Sequence, residues 1–204
     1  MGLLFSYLFM IISWTVSIQN DPTEVDFYRD LIRQFQAEGQ IIYTDKISKG
    51  DIDNIKSHLK SKTLFDVSHT INQNSVTLTR QEIKYISDQL ESFSYDLWQE
   101  NLFSGAKLIK ESDVMSFIKK TNQVYLENYN NPNNTETDRM TMVKNYQRPN
   151  VFKFSKPIYL RNKSLCLIYF SSVCGNPCGF DELCFYKIEN STWTKWVVVN
   201  SKQY

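Results

Sequence analysis

Four cysteines, Cys166, Cys174, Cys178 and Cys184, fall within one short stretch of this 204-residue chain, and their type and spacing suit them to chemistry better than any other set. The stretch reads as a β-hairpin. Candidate strands at residues 164–173 and 182–189 flank the turn Val173-Cys174-Gly175-Asn176-Pro177-Cys178-Gly179, whose Gly, Asn and Pro favour a tight reversal. If Cys174 and Cys178 face each other, residues equidistant from the turn pair across the ladder. Cys166 then comes close to Cys184 or its neighbour, so disulfides Cys174–Cys178 and Cys166–Cys184 are both geometrically open. Closing the smaller loop contributes little, about 2 kcal/mol or less; such a bridge pins a shape and adds little to global stability.

Three chemistries compete for these thiols. A structural disulfide is the expected one. Four thiolates could instead wrap a zinc ion, but zinc-binding cysteines come as close pairs at two separate turns, and here there is one turn; no metal is expected. Redox activity is the third. The string Cys-Gly-Asn-Pro-Cys is similar to the Cys-Gly-Pro-Cys of thioredoxin-type oxidoreductases with one residue inserted, which would make Cys174 and Cys178 a thiol–disulfide exchange pair. The thioredoxin pair, however, sits where a strand feeds a helix N-terminus whose dipole lowers the thiolate pKa, whereas this pair sits in a hairpin.

Other catalytic patterns are thin. Ser-x-x-Lys occurs at Ser57/Lys60, Ser104/Lys107 and Ser116/Lys119, without the Ser-Asp-Asn and Lys-Thr-Gly elements that accompany it in penicillin-recognising enzymes. The chain has two histidines, His58 and His69, too few for a histidine-rich metal site. With six glycines and no Gly-rich phosphate motif, neither a phosphate-cradling loop nor a cofactor is expected. Carboxylates are plentiful, but nothing in the sequence places two of them together as a hydrolase would require. Sequons at Asn133, Asn162 and Asn190 matter only in a secretory pathway that glycosylates.

Aromatic residues are abundant, with 13 Phe, 12 Tyr and 4 Trp, and they gather in the C-terminal part as Tyr159, Tyr169, Phe170, Phe180, Phe185, Tyr186, Trp193 and Trp196. Such a set forms a core or a binding platform. If it is a platform, Phe180, Tyr186, Trp193 and Trp196 are its exposed members, and a protein, peptide or glycan is the class of ligand it suits. Nucleic acid is not: the formal charge is +1, and the basic group Lys56, His58, Lys60 and Lys62 reads as a solvated helix face.

The elements that must position these residues follow from pattern. Residues 3–18 carry no charged side chain and read as an export signal, cleaved near Ser17, with an uncleaved anchor as the alternative. Residues 18–204 then form one domain with no stable membrane span. Asp21-Pro22-Thr23-Glu24 opens a helix with Val25, Tyr28, Ile32 and Phe35 on one face, stopped at Gly39. A short strand is expected within 40–47 and helices over 51–60, from the capping box Thr79-Arg80-Gln81-Glu82 through Leu90, and over 111–120. The Asn-rich stretch 128–150 reads as a long loop. From residue 151 the pattern turns to strands, at 151–155, 158–160, 164–173, 182–189 and 192–201. The third has apolar residues on both faces and should be central and covered on both sides. Helices to about residue 120 and an antiparallel meander of four to five strands over 151–202 make the class α+β.

The motifs Phe154-Ser155-Lys156-Pro157-Ile158-Tyr159-Leu160, Cys174-Gly175, Cys178-Gly179 and Leu183-Cys184-Phe185-Tyr186-Lys187, with Tyr169, Trp193, Leu78-Thr79 and the stretch 98–109, resemble exported bacterial proteins of unassigned function. That resemblance implies export and the Cys-Gly turn, and brings no reaction with it. The expectation is therefore a secreted or periplasmic, non-enzymatic binding or structural module. A thiol-disulfide oxidoreductase using Cys174 and Cys178 and a hydrolase with an unlocated carboxylate site are the alternatives.

Overall fold

The computed structural model of the chain describes residues 27–28, 41–68, 74–93, 95, 97–100, 102, 105–145, 150–175, 178–190 and 192–204. Its frame is a mixed seven-stranded sheet in the order β4-β1-β5-β7-β8-β9, with β6 also on β7. In chain order the strands are β1 (Ile42–Thr44), β4 (Lys107–Ile109), β5 (Val151–Phe154), β6 (Ile158–Leu160), β7 (Leu165–Gly175), β8 (Cys178–Glu189) and β9 (Thr192–Gln203); a separate hairpin joins β2 (Thr63–Phe65) to β3 (Ser75–Thr77). The C-terminal strands are antiparallel, as their tight turns require. At the other edge β1 runs parallel to both β4 and β5, a pairing of segments more than 60 residues apart that no local pattern announces. The class is α+β, helices first and meander last.

Helix α1 (Lys49–His58) begins two residues before the position expected, because Ser48 caps it. Ser48 and Asp51 form a reciprocal capping box, with the Asp51 N–H on Ser48 Oγ at 3.0 Å and the Ser48 N–H on Asp51 Oδ2 at 3.0 Å. Helix α2 (Arg80–Ser92) starts at the expected Thr79–Glu82 box. Both bury one apolar stripe, Ile52 and Ile55 in α1 and Ile86 and Leu90 in α2. After a 3-10 turn at Glu111–Asp113, helix α3 (Val114–Tyr129) runs nine residues past the expected end. It is anchored by Val114 and Ile118, and its second half projects Val124 and Leu126 into solvent. The Asn-rich stretch is not wholly a loop, since α4 (Glu136–Asn145) occupies its centre. A third capping box explains it: the Asp138 N–H bonds Thr135 Oγ1 at 3.1 Å and the Thr135 N–H bonds Asp138 Oδ2 at 2.9 Å, and that is enough to start a helix without a buried face.

Strand β7 is central and covered on both sides, as its two apolar faces require. On one face Leu165, Leu167 and Tyr169 join Leu183, Phe185 and Val197 beneath α1, α2 and the β2–β3 hairpin. A smaller cluster on that face, Ile42, Val114, Ile118 and Val151, seats α3. On the other face Cys166, Ile168 and Phe170 join Cys184, Tyr186 and Val198 against Phe152, Phe154, Tyr43, Trp98 and Tyr28. Phe27 and Tyr28 are helical; the rest of the helix expected from Asp21 to Gly39, the apolar run 3–18 and His69 lie outside the described residues. Among the described residues no helix is long and apolar enough to cross a membrane.

Candidate functional site

The hairpin turn is closed by the expected Cys174–Cys178 disulfide, with the two Cα atoms 5.2 Å apart. Its flanks need glycine: Gly175 has φ +142° and Gly179 φ +146°, backbone conformations that side chains of L-residues rarely adopt. Both cysteines belong to strands, so neither stands at a helix N-terminus that would favour a thiolate.

The second bridge is absent, because Cys166 and Cys184 are buried free thiols. Register is the reason. Cys166 lies opposite Tyr186 and Cys184 opposite Ile168, so the two cysteines are diagonal neighbours, for which the usual separation is about 7–8 Å, beyond the Cα–Cα span of a disulfide. Burial, with Glu182 nearby, pushes the Cys184 thiol far above its ordinary value, which makes it an inert core residue. Among the described residues no group of three or more His, Cys, Asp or Glu is placed to hold a metal ion.

The four residues suggested as an exposed aromatic platform do not form one. Tyr186 is buried, edge-on to Phe27 at 5.1 Å. Trp193 and Phe180 are half-buried on the same face, packed on Tyr159 at 5.8 Å and on Phe170 at 5.4 Å. Trp196 packs on the opposite face, against the core under α1 and α2, with the Lys187 ammonium 5.1 Å from its ring. Aromatic packing won here because β8 and β9 are covered on both sides. Of the basic group, Lys56 pairs with Glu91, while Lys60 and Lys62 are exposed.

Among the described residues, two concave surfaces lie along α3. On one flank a groove of about 670 Å³ is lined by Met115, Ile118, Lys119, Asn122, Leu126 and, from the disulfide turn, Gly175. Met115 and Leu126 are 57% and 53% exposed, so the apolar lining is open to solvent. On the other flank a second groove of about 480 Å³ runs beside β4, lined by Leu108, Ile109, Lys110, Asp113, Phe117 and Lys120. The sequence pattern points to the hairpin and not to α3, where Met115, Ile118, Asn122 and Leu126 at steps of three and four are the available signal.

A polar seam separates the two apolar clusters on the helix-bearing face. Lys153, Ser171 and Asp181 form one row across β5, β7 and β8. The Lys153 ammonium lies 3.2 Å from Glu111 Oε1 and 3.6 Å from Asp51 Oδ2. The Tyr169 hydroxyl donates to Asp51 Oδ1 at 3.1 Å, and the Tyr204 hydroxyl donates to Asp181 Oδ2 at 2.9 Å. Burial, then Asp51 and Asp181, push the Tyr169 hydroxyl well above its ordinary value; Tyr204 is pushed up to about 12 by burial and by Asp181. Asp181 Oδ1 is buried with no hydrogen-bond partner among the described residues. These are the clustered carboxylates that sequence reasoning could not place; Asp51 and Glu111 are both engaged by Lys153, which makes the seam an internal brace. A charged residue inside the apolar run Val151-Phe152-Lys153-Phe154 was the signal that was missed.

Comparison of the chain with protein-family models, with curated proteins and with solved structures finds no match in any of the three.

Proposed function

We propose that this chain is a non-enzymatic binding module that holds an amphipathic helix of a partner protein in the groove between α3 and the disulfide turn. The observation that carries the reading is that groove, in which Met115 and Leu126 face solvent, the buried Ile118 forms the floor and Gly175 of the turn supplies the rim. The positions 115, 118, 122 and 126 make one stripe about 16 Å long, the length over which a second helix docks by its own apolar stripe. Lys119 is the charge in the lining, so the occupant carries a carboxylate beside its apolar face. A glycan fits less well, because the aromatic rings that would stack on sugar are taken up by the core. Disulfide closure of the rim fits work outside the reducing cytosol, and the uncharged run 3–18 supports export. A strand-borne disulfide with no helix N-terminus beside it weighs against the oxidoreductase reading.

The test uses the full chain and an acetylated 14-residue helix of leucine, alanine and glutamate with its leucines on one face. Binding followed by fluorescence anisotropy is expected to be saturable and to weaken about tenfold or more in Leu126→Glu, which buries an unpaired charge facing an acidic peptide. Equal binding by Leu126→Glu would refute the site, and rapid turnover of a disulfide substrate would refute the binding role.

A further inference from the structure

The two edges of the main sheet are treated differently. At the β9 edge the chain after β2 covers the strand: the Val67 N–H donates to the Val198 carbonyl at 2.9 Å and the Asn74 amide to the Trp196 carbonyl at 3.3 Å. At the β4 edge the Lys107 N–H donates to Ile41 O at 2.8 Å, and Ile109 O accepts from the Asp45 N–H at 2.9 Å, both toward β1. Alternation along the strand turns the N–H and C=O of Leu108 the other way, and they have no partner among the described residues. Beside this edge lies the groove of about 480 Å³ against α3, with Ile109 and Phe117 as its apolar floor. Lys110 and Lys120 stand in its wall and the Lys107 ammonium lies 5.0 Å from the Phe117 ring, against the single carboxylate of Asp113.

We infer that the β4 edge takes an extended acidic peptide as an added strand, the Leu108 main chain supplying its first hydrogen bonds and the groove receiving every second side chain. Strand addition needs an open edge for main-chain bonds and a pocket for alternate side chains, and both are here. Lysines on an edge normally keep other strands away. Here they select, because a second copy of β4 would set lysine against lysine while a strand bearing glutamate or aspartate opposes carboxylates to Lys107, Lys110 and Lys120. The site is separate from the groove at the disulfide turn and shares only Ser116 with it.

The probe is an acetylated, amidated octapeptide of alternating glutamate and valine, with its lysine–valine counterpart as control, added to the ¹⁵N-labelled full chain at about 50 mM salt, where charge is weakly screened. The acidic peptide is expected to shift the Leu108 amide, to slow its hydrogen exchange, and to bind at least about tenfold tighter than the basic one. Leu108→Pro removes the outward donor and leaves the ladder to β1, which uses Lys107 and Ile109; it should weaken binding about three- to tenfold. Lys110→Glu with Lys120→Glu, both at the surface, should reverse the preference between the two peptides and keeps the test decisive if Leu108→Pro folds poorly. Leu126→Glu, in the other groove, should change nothing. No binding at 1 mM peptide, unaltered exchange of the Leu108 amide at saturation, or equal binding of the two peptides would each overturn the inference.

Discussion

The two glycines of the disulfide turn provide a paired experiment in which one substitution controls for the other. Both have φ near the mirror image of the β region, +142° at Gly175 and +146° at Gly179, yet their surroundings differ. A Cβ on Gly175 would meet nothing within 4 Å, whereas one on Gly179 would stand 2.4 Å from the carbonyl oxygen of Ser172. Gly175→Ala therefore carries backbone strain alone, about 1–3 kcal/mol. Gly179→Ala adds an overlap that no rotamer change can relieve, because the obstacle is backbone held in the β7–β8 ladder, for about another 1–3 kcal/mol. Alanine also stiffens the unfolded chain, by about 0.4–1 kcal/mol, but equally in both variants, so the term cancels. Gly179→Ala should thus be the less stable by about 1–3 kcal/mol, or a melting temperature lower by roughly 2–12 °C for a domain of this size. Urea unfolding of both proteins under oxidising conditions measures the difference. Equal midpoints, or a milder effect at Gly179, would mean that the turn is shaped by something other than the close approach of these two strands.

Two further outcomes check the chemistry of the core and of a helix start. Native protein should show no thiol reactive to a chromogenic disulfide reagent; unfolding without reductant should expose two, Cys166 and Cys184, and reduction should raise the count to the four in the sequence, whereas fast reaction of the native protein would contradict the burial that makes Cys184 inert. Glu82 accepts from Arg161 Nε at 2.9 Å and from the Thr79 N–H at 2.8 Å, and Arg161 first, then the Thr79 bonds, hold its carboxyl below the ordinary range against the opposing effect of burial. Its folded value lies below its unfolded one, so its contribution is full above the ordinary carboxylate range and fades as pH falls through the lowered value. Glu82→Gln should cost about 1 kcal/mol or less at pH 7, Arg161 being largely solvated, and the gap from the unaltered protein in urea midpoint should close below about pH 4; a gap undiminished at pH 3 would rule out the charge pair as its origin.

Much of the fold is legible from local pattern, and the parts that are not share one cause. The Thr79–Glu82 box, the apolar stripe Ile52, Ile55 and Leu59, and the two-faced strand containing Leu167 and Ile168 each describe their own neighbourhood, and each stands where its pattern puts it. The parallel pairing of β1 with β4 and β5 depends on segments far apart in the chain, which no window of ten residues contains. The α4 helix was hidden because its start signal, Thr135 to Asp138, carries no apolar stripe behind it, and composition outweighed capping. Cys166 and Cys184 show how fine the remaining margin is: a ladder centred one residue nearer to Cys174 would have made them face each other, and the turn geometry at Gly175 decides that register.

The polar seam explains why the grooves have a fixed shape at all. Apolar contacts are non-directional, so the cluster of Ile42, Val114, Ile118 and Val151 alone would let α3 slide over the sheet by fractions of a turn. Lys153 removes that freedom. Its ammonium ties the start of α1, through Asp51, and the 3-10 turn that leads into α3, through Glu111, to one residue of β5, while the Glu111 N–H donates to Asp45 Oδ1 at 2.8 Å. Taking these charges out of water costs several kcal/mol per ion and is offset only when partners are well placed, so the seam contributes position more than stability. The beginning of α3 is thereby held at one distance from β4 on one flank and from the disulfide turn on the other. Both grooves are bounded by that helix, so the buried charge of the seam fixes the position of the wall they share.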